Sequence, residues 1–165
     1  MTSKDIVEIY NKADKAGIKF WIDGGWCVDA LLGQQTREHK DLDIAINADD
    51  LASFLKLAQA QGFKLSGMDG EYNFVLRDDK AREIDVHAFI TNKKGNVVGG
   101  IKYPKQSLTG KAKFEGQTVR CIAPEYMVQF IVPWAYKHKE KYKQDLKALC
   151  DKFGIDYPTV LKELL

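Results

Sequence analysis

The strongest constraint in this chain is the run Asp41-Leu42-Asp43, which leads directly into Ile44-Ala45-Ile46. The apolar continuation marks a buried strand. Side chains on a strand alternate faces, so Asp41 and Asp43 point the same way. Two carboxylates held side by side repel each other unless a cation lies between them, and hard oxygen ligands suit Mg²⁺. A third carboxylate, Asp85 in Glu83-Ile84-Asp85-Val86-His87, lies in a second strand-like run and can close the same site. Upstream, Gly24-Gly25 stands between the apolar run Ile18 to Ile22 and a short helix, predicted from Trp26 to Leu32, that stops at Gly33. A glycine pair there allows close backbone approach to a phosphate, helped by the helix N-terminus.

The remaining pattern alternates helices and strands. Ile6, Ile9, Tyr10, Ala13 and Ala16 fall at helical spacing behind Ser3, a candidate N-cap, and Gly17 ends that helix. Leu51, Phe54, Leu55 and Ala58 mark another helix, closed by Gly62. Short strands are predicted at Phe63 to Leu65, Tyr72 to Arg77 and Arg82 to Ile90, the last two as an antiparallel hairpin across Asp78-Asp79-Lys80. Lys93 to Asn96 reads as a turn. The glycine-rich stretch Val97 to Cys121 reads as irregular, with one strand at Gln117 to Cys121.

Pro124, at a first helical position with Glu125 beside it, opens a helical last third. Leu146, Leu149, Cys150 and Phe153 form an apolar stripe ending at Gly154, and Pro158 starts a final short helix with Val160, Leu161, Leu164 and Leu165. The expected class is α+β: residues 1–122 as a mixed-sheet core, and residues 123–165 as a helical part packed on it.

Composition removes several function classes. With 25 basic and 23 acidic residues, the net charge of +2 gives no global field for a polyanionic partner, so nucleic acid is not expected. The one basic cluster, Lys137-His138-Lys139-Glu140-Lys141-Tyr142-Lys143, is too local to change that. Three widely spaced cysteines (Cys27, Cys121, Cys150) argue against a disulfide framework and for a reducing compartment. Neither an apolar leader nor a run long enough to span a bilayer is present, so a cytoplasmic location is expected.

Metal-bound carboxylates serve phosphoryl chemistry by neutralising a triphosphate and by activating the attacking oxygen. The GxxxxGK[ST] spacing of a P-loop is absent, and the third glycine of a dinucleotide fingerprint is missing. Arg37, Lys40 and Lys141 are candidates for holding phosphate oxygens. Asp29, on the second helix, is expected to orient the glycine loop or the metal strand by hydrogen bonding. His39 and His87 allow a different site, built with Asp43 and Asp85, of the transition-metal phosphohydrolase kind. The aromatic group Trp21, Trp26, Tyr72, Phe74 and Trp134 reads mainly as core.

The block Trp21-Ile22-Asp23-Gly24-Gly25-Trp26-Cys27-Val28-Asp29, followed by Thr36-Arg37-Glu38-His39-Lys40-Asp41-Leu42-Asp43-Ile44, resembles the antibiotic nucleotidyltransferases of the aminoglycoside-2''-adenylyltransferase and lincosamide nucleotidyltransferase kind, within the polymerase β-like superfamily. The likeness extends through Ile84 to His87, Val119 to Glu125 and Lys141 to Ile155. It implies Mg²⁺ on Asp41 and Asp43, with Asp85 as third carboxylate, metal ligand or general base. It also implies Gly24, Gly25, Arg37 and Lys141 around the triphosphate of ATP or another NTP, with Asp145 one helical turn from Lys141. The implied reaction is attack by an acceptor hydroxyl on the α-phosphorus, releasing pyrophosphate. The implied partners are an NTP and a small hydroxylated acceptor, an aminoglycoside or lincosamide among them, handled by a monomer or homodimer. Known antibiotic-modifying members carry acidic surfaces, whereas this chain is net positive. Two other readings compete: nucleotidylation of a partner protein, and a non-catalytic nucleotide-binding module, against which all three carboxylates are present.

Overall fold

The computed structural model describes residues 1–137 and 140–162. The predicted basic residues His138 and Lys139, and Leu164 and Leu165 of the last helix, lie outside the described residues.

The chain opens with α1 (Ser3–Lys15). Its cap is Thr2 rather than the expected Ser3: the Thr2 hydroxyl accepts from the Asp5 backbone while the Asp5 carboxylate accepts from Thr2, a reciprocal capping box. Strand β1 (Phe20–Ile22) follows, and then α2 (Gly24–Leu32), which starts two residues earlier than predicted because Asp23 caps it. Next come β2 (Asp41–Asn47), α3 (Ala48–Ala60), β3 (Lys64–Met68), β4 (Asn73–Arg77) and β5 (Glu83–Thr91).

The stretch read as irregular contains two further strands. These are β6 (Val97–Gly100) and β7 (Gly110–Phe114), separated by a 3₁₀ turn at Lys105–Thr109. Strand β8 (Gln117–Cys121) matches its prediction. The helical last third comprises α4 (Pro124–Tyr136), α5 (Glu140–Phe153) and α6 (Thr159–Lys162).

All eight strands join one mixed sheet in the order β3-β4-β5-β2-β1-β8-β7, with β6 pairing the far half of β5. β2 runs parallel to β5 and antiparallel to β1, and β1 pairs in parallel with β8. Leu42, Ile44 and Ile46 point to one face, where Phe20 meets Tyr10 of α1 at 5.4 Å and Phe54 of α3 at 5.7 Å between ring centroids. Each such fully buried side chain contributes about 1.5–3 kcal/mol, so this face anchors the fold. The other face of β2 carries Asp41 and Asp43. Helix α2 covers it, with Trp26 packed against Phe114 of β7, and α4 and α5 pack in turn on α2. All three cysteines are free and buried.

Candidate active site

The parallel ladder between β2 and β5 places Asp43 opposite Asp85 and Asp41 opposite Glu83. Leu42, Ile44, Ile84 and Val86 are fully buried, which holds the ladder rigid and turns the three aspartates to one face. Two residues along β5, on the same face, His87 joins them: one ligand atom each from Asp43, Asp85 and His87 lies within 4.8 Å of the others. Asp85 Oδ1 is buried without a hydrogen bond, and His87 Nε2 stands 3.5 Å from it.

The electrostatics reflect this crowding. Burial, then the carboxylates of Asp23 and Asp41, push the Asp43 carboxyl up to about 7, with Asp85 adding to them and His87 opposing. Burial acts against charge on His87, yet the nearby carboxylates of Asp23 and Asp85 hold its imidazolium up to about 10. Carboxylates packed this closely, one with an orphaned buried oxygen, fit a divalent cation with oxygen ligands.

Asp23 was not singled out as a site residue, although it stands in the quoted Asp-Gly-Gly motif. Its Oδ1 accepts from the Gly24 N–H at 2.7 Å, and its own N–H donates to the Asp43 carbonyl at 2.9 Å. Gly24 has φ +58°, and a Cβ there would stand 2.0 Å from Asp43 Oδ2. At Gly25 a Cβ would meet His39 Nδ1 at 2.2 Å. Both glycines are thus required by the side chains packed against them, a reason sequence spacing did not reveal.

Residues 34–40 carry a second polar network. Asp29, fully buried, accepts from the Thr36 backbone at 3.0 Å and its hydroxyl at 2.5 Å, and its other oxygen meets His39 Nε2 at 2.5 Å. The His39 ring lies 4.6 Å from that of Trp26 and its Nδ1 faces Arg37 Nη1 at 2.8 Å. Arg37 Nη2 donates to Asp145 Oδ2 on α5 at 2.9 Å. Asp29 therefore orients Thr36 and His39 in the loop before β2, in place of the glycine loop or the metal strand expected of it. His39 stays with Asp29 in this network and does not join His87 at the carboxylates, which removes the four-ligand phosphohydrolase arrangement. The residue paired with Asp145 is Arg37, while the Lys141 ammonium lies 4.8 Å from the Tyr142 ring.

Both networks open into one cavity of about 670 Å³. Asp41, Asp43, Asp85, Gly24, Gly25, Arg37, Lys40 and Lys141 all line it, so the residues singled out from sequence converge. Its lining includes the carboxylates Asp23, Glu38, Asp41, Asp43, Asp69, Asp85 and Asp145 against the cations Arg37, Lys40 and Lys141. The cavity is acidic although the chain is net positive. One wall is apolar, formed by Met127, Phe130, Ile131 and Trp134 of α4 with Tyr142 of α5. Trp134, read as core, is 45% exposed there. A second depression of about 480 Å³ along α1 is lined by Lys4, Lys12 and Lys15 with Glu8, Asn11 and Glu115, and brings together no aspartate cluster.

A family model, aminoglycoside-2''-adenylyltransferase, matches residues 5–149. The chain belongs to that family. It is 46% identical over 169 aligned positions, 95% of this chain and 90% of the relative, to a 2''-aminoglycoside nucleotidyltransferase of Escherichia coli. It is 24% identical over 135 positions, 79% of this chain and 84% of the relative, to a lincosamide resistance protein of Staphylococcus haemolyticus. The crystal structure of the lincosamide antibiotic adenylyltransferase LnuA, lincomycin-bound, shares the fold at a TM-score of 0.77 and 23% identity, covering 90% of this chain and 96% of that one. ANT(2'')-Ia in complex with adenylyl-2''-tobramycin does so at 0.76 and 20%, covering 98% and 95%. The fold is the α+β nucleotidyltransferase fold expected from the sequence, and the family member described here is an enzyme of the nucleotidyltransferase kind. Among the described residues, no helix is long and apolar enough to cross a membrane.

Proposed function

We propose that this enzyme moves a nucleoside monophosphate from an NTP, ATP first among them, to a hydroxyl of a small antibiotic acceptor. The observation that carries this reading is the Asp43–Asp85 pairing, with Asp41 on the same face, opening into a cavity that also presents the α2 N-terminus. Aminoglycosides and lincosamides are the acceptor classes to consider, from the relatives' names. The acidic lining suits a cationic acceptor, and the apolar wall of α4 suits the flat or aliphatic part of either substrate.

In this reading Asp41, Asp43 and Asp85 hold Mg²⁺. A cation held there would supply charge neutralisation for the triphosphate and Lewis acidity toward its α-phosphoryl group. The glycine turn at Gly24 and Gly25 brings backbone N–H groups toward the phosphates at the α2 N-terminus. Lys141 and Arg37, the latter bonded to Asp145 one turn along α5 from Lys141, add positive charge to the cavity lining. Asp85 takes the proton of the attacking hydroxyl on the carboxylate oxygen that the cation would leave unbound. The new bond joins acceptor oxygen to α-phosphorus, the bond from α-phosphorus to the bridging oxygen breaks, and pyrophosphate leaves. The enzyme works as a monomer or homodimer in the cytoplasm, without nucleic acid.

The test is pyrophosphate release from ATP, CTP, GTP and UTP with Mg²⁺ across a panel of aminoglycosides and lincosamides. Release that depends on an acceptor and disappears in Asp43→Asn supports the proposal. Release from the Asp43→Asn variant at the parent's rate overturns the metal assignment.

A further inference from the structure

Tyr103 lies outside the elements that form the site, in the segment between β6 and the 3₁₀ turn, yet its hydroxyl ends inside the site's hydrogen-bond network. The chain reaches it by a sharp return. Gly100, at φ +70°, passes so close to β5 that a Cβ would meet the Ala88 carbonyl at 2.5 Å, and the Ile101 N–H donates to that same carbonyl. Pro104 follows, restricting Tyr103 to extended backbone. The Tyr103 ring is buried between Phe89 of β5 and Phe130 of α4, edge-on to each with centroids 5.9 Å apart. Backbone and ring are therefore fixed before the hydroxyl makes any contact.

A buried tyrosine hydroxyl requires a partner, and this one donates to Asp23 Oδ2 at 2.6 Å. Its lone pair faces His87 Nδ1 at 3.2 Å, and the other ring nitrogen of His87 faces Asp85. Asp23 then has both carboxylate oxygens committed, Oδ1 to Gly24 and Oδ2 to Tyr103. Without that bond Oδ2 would keep only the His87 ring nitrogen at 3.9 Å, and the carboxylate could turn toward Asp43, whose proton affinity it already raises.

We propose that Tyr103 is a positioning residue: its hydroxyl holds Asp23 as the cap of the glycine turn and keeps that carboxylate out of the metal ligand set. The inference rests on the metal assignment under Proposed function. It adds that the ligand set is limited to three aspartates by a group supplied from the return after β6. Through Phe130, the same ring ties the glycine turn to α4, the apolar wall of the cavity.

Tyr103→Phe keeps the ring packing and removes only the hydroxyl. The expected result is a fall in kcat on the order of tenfold with the KM for NTP within about twofold, because the turn is misplaced for transfer more than for binding. In the absence of nucleotide, Mn²⁺ affinity measured by electron paramagnetic resonance is expected to rise about threefold or more, as the freed Asp23 adds ligand charge. That second readout stands apart from activity. If the parent proves inactive with every acceptor while the Mn²⁺ shift is seen, the proposed function fails and the role of Tyr103 stands. Unchanged kcat and unchanged Mn²⁺ affinity in a folded Tyr103→Phe variant overturn it. Asp23→Asn gives an independent arm should Tyr103→Phe not fold. Its Mn²⁺ affinity is expected to stay within about tenfold of the parent, since Asp23 is not a ligand, and a larger loss makes Asp23 a ligand and overturns the inference.

Discussion

Two groups of carboxylates share the cavity and are treated in opposite ways. Asp29 and Asp145 belong to a chain of matched partners: Thr36 and His39 satisfy the first, Arg37 the second, and the network ties α2, residues 34–40 and α5 together. Asp41, Asp43 and Asp85 line the same cavity as Asp145, with no arginine or lysine bonded to them among the described residues. The buried Oδ1 of Asp85 lacks a hydrogen bond, and the Asp43 carboxyl is pushed up to about 7 by burial and neighbouring carboxylates. A compensated network lowers the energy of the folded chain as it stands. One in which a single imidazolium, His87, faces three carboxylates raises it until a cation arrives, and such crowding persists where function requires it. The contrast separates the part of the cavity built to hold its shape from the part built to hold a ligand.

Asp43→Asn tests that contrast most sharply. Turnover is expected to fall on the order of 10³-fold in a pyrophosphate-release assay. In EDTA at pH 8 the same variant is expected to be more stable than the parent, by about 1–2 kcal/mol in urea titration, because a crowded carboxylate has gone. A less stable variant would show that the three aspartates are compensated after all.

Removing a member of the matched network has the reverse signature. Asp29→Ala strands His39 and the Thr36 donors, and a loss of about 3–5 kcal/mol is expected by chemical denaturation. An unchanged midpoint would remove the network from the stability account.

Gly25→Ala addresses the seam between the two groups. Its methyl would collide with His39, a ring packed at a tilt against Trp26 and bonded to Asp29, so a loss of about 1–3 kcal/mol is expected in thermal melts. A variant as stable as the parent would mean that the ring shifts freely.

The smallest effect belongs to a matched cluster outside the cavity lining. Arg82 bonds Asp78 at 2.6 Å and Asp5 of α1 at 2.9 Å. Burial works to raise both carboxyls, but hydrogen bonds from Thr2 and Arg82 to Asp5, and from Arg82 and Lys80 to Asp78, bring them below their usual range. Carboxyls depressed on folding stabilise the protein above the unfolded value, and that contribution is lost as pH falls through the folded one. Arg82→Met is therefore expected to cost about 1–2 kcal/mol at pH 7. Its stability curve should rejoin the parent's as the pH drops well below about 4; curves that stay parallel to pH 2 would refute the pairing.

Much of the architecture was readable in advance where local pattern and burial agree. The apolar run after Asp43 announced β2, the Asp-Gly-Gly junction announced a strand passing into α2, and the turn at Asp78 to Lys80 announced the β4–β5 hairpin. β6 and β7 were missed for a physical reason. Lys111 and Lys113 alternate with Ala112 on an outer strand of the sheet, and Val98 on β6 is 54% exposed, so neither strand carries the continuous apolar signal of a buried one. At the site, period-two alternation put Asp41 and Asp43 on one face. It was silent on Tyr103, which lies in a turn with no motif around it.

The sequence alone determined that a like-charged pair sits on a buried strand and that a glycine turn precedes it, since both follow from side-chain alternation and from the freedom of residues without a Cβ. It also carried the likeness that places the chain in its family. Only the tertiary structure decided that Asp85 stands beside Asp43, that Arg37 reaches Asp145 while lining the cavity, and that Asp23, His87 and Tyr103 are linked. These contacts depend on a parallel strand pairing and on helices that dock from far along the chain. No periodicity within a segment encodes which other segment it will face.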